Sequence, residues 1–264
     1  MIDFHNHTEL CGHAEGSPDE YVMTAIKRGI RYFGFADHAP IEESIRGGIT
    51  MSPDEIEDYI GMTKTLKEKY AGQIEIFTGF EVDYPEFEAF DSSYYNDDRI
   101  DYLIGSCHFI GEWPIDFSPE ASDVEYSKRG VDSVCADYFN NMLSLAKSGK
   151  YNIIGHFDLY KKFGHRPEKD FSDIISLIAK EAAKNETAIE INSSGLRKPV
   201  KEIYPSFDII KLIRESGGIF TLGSDSHHPD DVAKDFEKSR ELLLKAGVDK
   251  ISYYRNRNRV EISL

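Results

Sequence analysis

Seven of the nine histidines, one glutamate and one aspartate stand where metal ligands would be needed, most of them just after a short apolar run. His5 and His7 lie in MIDFHNHTELCGH, which also carries His13. His38 closes YFGFADH, Glu81 closes IEIFTGFE, His108 closes DYLIGSCH, His156 closes NIIGH, and Asp225 and His227 end IFTLGSDSH. Imidazole and carboxylate are ligands that zinc, manganese and iron accept alike. On an extended chain residues two apart point to the same side, so His5 and His7 can grip one ion, and Asp225-x-His227 reads as the same device. Taken alone, an HxH pair is a weak signal, and a lone histidine such as His38 or His156 is more often a satisfied core residue. The joint pattern is different. Six strand ends carry His, Asp or Glu while the remaining strand positions are almost wholly apolar, and hardly any histidine falls in a helix. That distribution predicts a hydrolytic centre built on several metal ions.

The elements that must position these residues alternate along the chain. Runs rich in Ile, Phe, Val and Tyr predict strands at 2–5, 32–36, 74–80, 101–107, 152–155, 187–191 and 219–223, with a weaker C-terminal pair at 251–254 and 259–263. Helices are expected near 18–29, 52–71, 131–149, 171–184, 205–216 and 229–246. Ser17-Pro18 with Glu20, and Ser52-Pro53 with Glu55, carry helix-start signals, and Gly29 and Gly149 fit helix ends. Alternating β and α units imply a parallel sheet with right-handed crossovers. An open doubly wound sheet would spread the ligands too widely, whereas a barrel gathers its strand ends on one rim. The expectation is therefore a single domain over 1–264, an incomplete or distorted barrel. Residues 109–130 form the longest stretch without a regular pattern and follow His108 directly, so they read as a lid or substrate loop carrying Trp113; the alternative is an insertion packed on the barrel edge.

Bulk properties set limits on function. The 264 residues are 40% apolar and 30% charged, which suits an ordinary globular core. Against 47 acidic residues there are only 31 basic ones, and the net charge of −16 argues against a nucleic-acid partner. No apolar run approaches the length of a membrane helix, and the chain enters a strand at once without a secretory pattern, so a cytoplasmic location is expected. Cys11, Cys107 and Cys135 form no CxxC pair and read as reduced thiols, with Cys11 a minor candidate ligand because it lies inside the first ligand loop. Oligomeric state leaves no mark.

The order of these motifs resembles the polymerase-and-histidinol-phosphatase (PHP) family. HAEGSPDEYVMTAIKRGI, GFEVDY, GSCHFIGEWPID, IGHFDLYKKFG, INSSGLRKPVKEIYPS and GSDSHHPDDV look like its histidinol-phosphate phosphatase branch, over nearly the whole chain. The resemblance implies a distorted (β/α)7 TIM-like barrel, with three divalent metal ions (Zn, Mn or Fe) at the C-terminal rim of the strands. It implies one ion on His5, His7, Glu81 and Asp225, a second on Glu81, His108 and His156 with Glu81 as bridge, and a third on His13, His38 and His227. Asp37 is not among the family's usual ligands and is expected to orient an imidazole. ADHAP departs from the glycine that many relatives carry after the DH pair, which changes only a local turn.

Such a ligand set predicts phosphoester hydrolysis by a hydroxide bridging two ions, with Glu81 and Asp225 at the catalytic centre. The small phosphomonoester substrate implied is L-histidinol phosphate, within histidine biosynthesis. Arg197 is the first candidate for clamping phosphate, because guanidinium bonds bidentately, and Lys161 and Lys162 come next; both lysines are equally readable as a solvated pair. Asp83, Glu112, Asp116 and Asp158 are candidates to receive the substrate's ammonium and imidazole. His165 and His228 fall outside the ligand set. Competing readings keep the same metals for a nucleotide, a sugar phosphate, a phosphotyrosyl peptide or a polynucleotide end, or treat the chain as a non-catalytic metal-binding domain. An amidohydrolase is a further alternative, disfavoured because Glu81 stands where those enzymes often use a lysine.

Overall fold

The apolar runs become one seven-stranded parallel sheet. In the computed structural model, which describes residues 1–41, 47–85 and 96–264, the strands are β1 (Ile2–Asp3), β2 (Tyr32–His38), β3 (Glu75–Asp83), β4 (Tyr102–Ser106), β7 (Ile153–Ile154), β8 (Ala188–Asn192) and β9 (Ile219–Gly223). They lie side by side in that order. The two edges meet: Phe4 N–H donates to the Leu222 carbonyl at 3.1 Å, His7 N–H to the Ser226 carbonyl at 3.0 Å, and Ser226 N–H to the His5 carbonyl at 3.3 Å. This is a distorted (β/α)7 barrel, nearly closed. The sheet is covered on both faces, which is why its strands read as near-continuous apolar runs.

Helices α1 (Pro18–Lys27), α2 (Ile56–Lys69), α3 (Pro119–Arg129), α4 (Val131–Ser148), α5 (Ser172–Lys184), α6 (Phe207–Glu215) and α7 (Phe236–Lys245) complete the described architecture. Glu20 accepts from the Ser17 backbone N–H and hydroxyl at 2.7 and 2.9 Å, and Glu55 does the same for Ser52, so the two start signals act as capping boxes. Residues 109–130 differ from the expected irregular loop. They form a small antiparallel hairpin, β5 (Phe109–Ile110) with β6 (Trp113–Pro114), followed by α3. Ser118 caps α3 by accepting from the Ala121 N–H at 3.1 Å, and Pro119 opens it. The stretch is too poor in apolar residues to show helical periodicity.

Side chains fill the barrel interior. Tyr102 lies across its middle and donates to the Phe4 and Phe35 carbonyls at 2.9 and 3.0 Å. Gly34 and Gly79 face that ring, and a Cβ on either would collide with it. The C-terminal pair, β10 (Lys250–Arg255) and β11 (Asn258–Ser263), forms its own antiparallel sheet outside the barrel ladder. Tyr253 of β10 packs on Phe4, Phe77 and Tyr32 with ring centroids 4.4–5.7 Å apart, closing the end opposite the histidines.

Candidate metal centre

All nine expected ligands converge at the C-terminal ends of the strands. His5 and His7 follow β1, with Asn6 between them turned the other way. Its amide donates to the Gly34 carbonyl at 3.0 Å and its oxygen accepts from Ser226 Oγ at 2.5 Å. His38 ends β2 and is paired in register with Glu81 of β3. His108 and His156 follow β4 and β7, and His13 follows a turn of 3₁₀ helix at Glu9–Cys11. Asp225 and His227 are not an extended pair. The strand ends at Gly223, and Asp225 adopts a left-handed backbone, φ 50°, a conformation aspartate tolerates better than most residues.

Glu81 is the hub. Its Oε1 lies 2.9 Å from His156 Nε2 and 3.5 Å from His108 Nε2, and accepts from Ser106 Oγ at 2.5 Å. Its Oε2 lies 3.2 Å from His5 Nε2, 3.6 Å from His7 Nε2 and 3.1 Å from His38 Nδ1. Asp225 divides its oxygens too. Oδ2 accepts from Asn192 and Ser194 at 3.2 and 3.1 Å, leaving Oδ1 3.4 Å from His7 and 3.5 Å from His227. His13, His38 and His227 cluster beyond, with His13 ring centroids 5.3 Å from His38 and 4.6 Å from His227.

The donor set fits divalent metal. Nε2 of His5, of His7 and of His227 is buried with no hydrogen-bond partner among the described residues, although carboxylates stand close by. Buried polar groups are rarely left so. Triplets His5–His7–Glu81, His38–Glu81–His108 and His7–His38–His227 each bring their ligand atoms within 4.8 Å of one another. Cys11 falls in two such groups, with His13 and His227 and with His7 and Asp37. Burial pushes its thiol up to about 12, so it carries its proton unless a cation displaces it.

Carboxylates behind the ligands set ring orientation. Asp83 Oδ1 lies 2.7 Å from His108 Nδ1, which turns His108 Nε2 to the centre. Asp37 lies 3.5 Å from His7 Nδ1 and accepts from the Thr8 amide and hydroxyl. The sequence reading missed Glu190. Its Oε1 lies 2.7 Å from His5 Nδ1, and its Oε2 accepts from the His156 N–H at 2.8 Å and from the Asn192 amide at 2.9 Å. Gly223 makes room for it, since a Cβ there would occupy the space of the Glu190 carboxylate. The available signal was a charged residue at the centre of the apolar run AIEIN.

Protonation differs across the cluster. Burial disfavours charge on the imidazoles of His5, His7, His13, His38, His108 and His227. At His5 the Glu190, Glu81 and Asp225 carboxylates overcome it and hold the pKa well above the usual range. His108 is raised to about 10 against burial by Glu81 and Asp83. At His38 and His227 burial wins, helped by the neighbouring His7, and both are held well below their usual value. Burial likewise raises the cost of ionising Glu81 and Asp225, but the surrounding imidazoles keep both well below the ordinary carboxylate range.

A cavity of about 460 Å³ opens over the cluster, lined on its polar side by Lys162, Lys198, Asp116 and Asp83 among others. The structure separates the expected phosphate clamps. Lys162 reaches the cavity, its ammonium 2.8 Å from Asp116 Oδ2. Lys161 does not. It is fully buried, with Nζ 2.8 Å from both Asp158 and Glu202 and 2.9 Å from the Ile203 carbonyl, because its backbone direction turns it inward while its neighbour faces out. Arg197 donates to the Ser224 carbonyl at 2.6 Å and pairs with Asp231 at 3.2 Å, behind Asp225; its neighbour Lys198 lines the cavity, as does Ser194. Of the four acids expected to receive the alcohol portion, Asp83 and Asp116 line the cavity; Asp158 is buried beneath Lys161, and Glu112 is exposed and absent from the lining. His165 stacks on Tyr126 at 3.9 Å beside α3, and His228 is half exposed.

Fold and site together define a barrel protein whose strand ends present several groups of imidazoles and carboxylates that could hold metal ions. The chain belongs to the PHP domain family, whose model matches residues 3–194. A Deinococcus radiodurans protein named as a probable histidinol-phosphatase is 35% identical over 94% of each chain. The Bacillus subtilis histidinol-phosphatase is 30% identical over 89% of this chain and 96% of its own. The crystal structure of Lactococcus lactis histidinol phosphate phosphatase, complexed with zinc, L-histidinol and phosphate, superposes with a TM-score of 0.77 at 21% identity, covering 98% of each chain. Among the described residues no helix is long and apolar enough to cross a membrane.

Proposed function

We propose that this chain is a metal-dependent phosphomonoesterase that hydrolyses L-histidinol phosphate to L-histidinol and phosphate. The observation that carries the reading is Glu81, whose two oxygens face separate groups of imidazoles at the floor of a cavity that also holds Lys162 and Lys198. Its sequence relatives named for this activity support the same substrate.

In this reading His5, His7, Glu81 and Asp225 hold one ion, Glu81, His108 and His156 a second, and His13, His38 and His227 a third, the ions being zinc, manganese or iron. Ions bound there supply Lewis acidity toward the phosphoryl group and toward water. The residues of the chain do the rest. Lys162 and Lys198 draw the phosphate dianion to the cavity. Glu190, Asp83 and Asp37 fix the imidazoles so that their lone pairs converge. Asp116, paired with Lys162 and set on the hairpin side, receives the substrate ammonium.

The test is phosphate release from L-histidinol phosphate by protein stripped of metal and then reloaded with zinc, manganese or iron. Turnover that vanishes on stripping and returns on reloading supports the proposal. Equal turnover after exhaustive chelation, or none with any metal, refutes it.

A further inference from the structure

Tyr204 is fully buried, lines the cavity, and carries a hydroxyl with no hydrogen-bond partner among the described residues. Its position is fixed from three sides. Its backbone exchanges two hydrogen bonds with Asn192, at 2.7 and 3.0 Å, and Asn192 in turn holds Asp225. Its ring packs against Gly195, where a Cβ would stand 2.9 Å from the ring, and the Lys161 ammonium sits 5.3 Å from its centroid. The ring is thus clamped, and Tyr204 shares the lining of the cavity with Ser194, Lys198 and Asp225.

A buried hydroxyl without a partner is costly to a folded protein and is retained where something else supplies the partner. Burial, with the Asp158, Asp225 and Asp116 carboxylates nearby, pushes the phenol pKa further up, so the group is a donor throughout the working pH range. The cavity that Tyr204 lines is also lined by Lys162 and Lys198, and a neutral donor added to two ammonium groups suits an anionic acceptor. We infer that Tyr204 is a substrate-contacting residue whose hydroxyl donates a hydrogen bond to a phosphoryl oxygen of the bound phosphoester. The inference rests on the phosphatase reading above and names a contact within its site.

The experiment compares Tyr204→Phe with the wild-type, metal-loaded protein on an aryl phosphate, with inorganic phosphate as inhibitor. Removing a hydrogen bond to a charged acceptor is expected to lower kcat/KM roughly 10- to 100-fold and to weaken phosphate inhibition in parallel. Metal content should stay the same, and the melting temperature should hold or rise because no native bond is lost. Unchanged aryl phosphate kinetics and phosphate inhibition would overturn the inference. So would a loss confined to amine-bearing esters, which would put the contact on the alcohol portion, or a fall in melting temperature that accounts for the lost activity. If the wild-type protein hydrolyses no ester, the phosphatase reading fails by itself. Calorimetric titration of both loaded proteins with inorganic phosphate then decides Tyr204 separately, equal affinities overturning the assignment.

Discussion

Glu190 Oε1 lies 2.7 Å from Nδ1 of His5, on the face of the ring turned away from Glu81. Through its other oxygen the same carboxylate accepts the backbone N–H of His156 at 2.8 Å. One buried side chain therefore sets the tautomer of a ligand on one side of Glu81 and the backbone of a ligand on the other. Glu190→Gln keeps the volume and removes the charge that makes His5 Nε2 a good donor. Zinc affinity, measured by competition with a chromophoric chelator, is expected to fall about 10- to 100-fold. Unchanged affinity would mean that Glu190 only fills space.

The uneven protonation of the imidazoles predicts proton release on metal loading. His5 and His108 carry protons across neutral pH because their pKa values are raised, whereas burial keeps His13, His38 and His227 neutral there. An incoming cation must displace the former protons and finds the latter nitrogens ready. Overall metal affinity should therefore rise with pH through neutrality, with fewer protons released than there are histidine ligands. Calorimetry in two buffers of different ionisation enthalpy measures the number. No proton release would contradict this charge distribution.

The adjacent lysines should behave in opposite ways. Lys161 neutralises the buried Asp158 and also pairs with the partly exposed Glu202, so Lys161→Met leaves the Asp158 charge unpaired in the interior and should cost about 3–5 kcal/mol in denaturant unfolding. Lys162 stands in the cavity with a partly exposed partner, Asp116. Lys162→Met should change stability by less than about 1 kcal/mol and raise KM for phosphoesters roughly tenfold or more. The reverse outcome would exchange their roles.

The convergence of the candidate ligands was legible because a polar residue at the end of an apolar strand has few reasons to be there except the rim chemistry of a barrel. The barrel followed from the need to bring His5, His38, Glu81, His108, His156 and Asp225 together. Glu190 was not legible as a partner of His5, because β8 reaches β1 only across β9 and the closure of the sheet. Helix α3 had the same Ser-Pro opening at Ser118-Pro119 as α1 at Ser17-Pro18 and the 3₁₀ turn at Ser52-Pro53 that leads into α2, but no apolar stripe behind it. Which lysine of Lys161-Lys162 faces the cavity depends on a turn of 3₁₀ helix, Leu159–Lys161, whose direction no spacing rule reveals. Arg197 and Lys198 pose the same difficulty, since a one-residue change of direction exchanges the cavity wall for the back of Asp225.

The most direct measurement of the central claim is kcat/KM for L-histidinol phosphate against a panel of nucleotide, sugar, phosphotyrosyl and aryl monoesters, on protein reloaded with a single metal. The account predicts a preference of several hundredfold for L-histidinol phosphate, which corresponds to roughly 3–4 kcal/mol of selective transition-state binding. Slow and even hydrolysis across the panel would contradict the assigned substrate while leaving a general phosphatase. No hydrolysis with any metal would contradict the enzyme and leave a metal-binding domain.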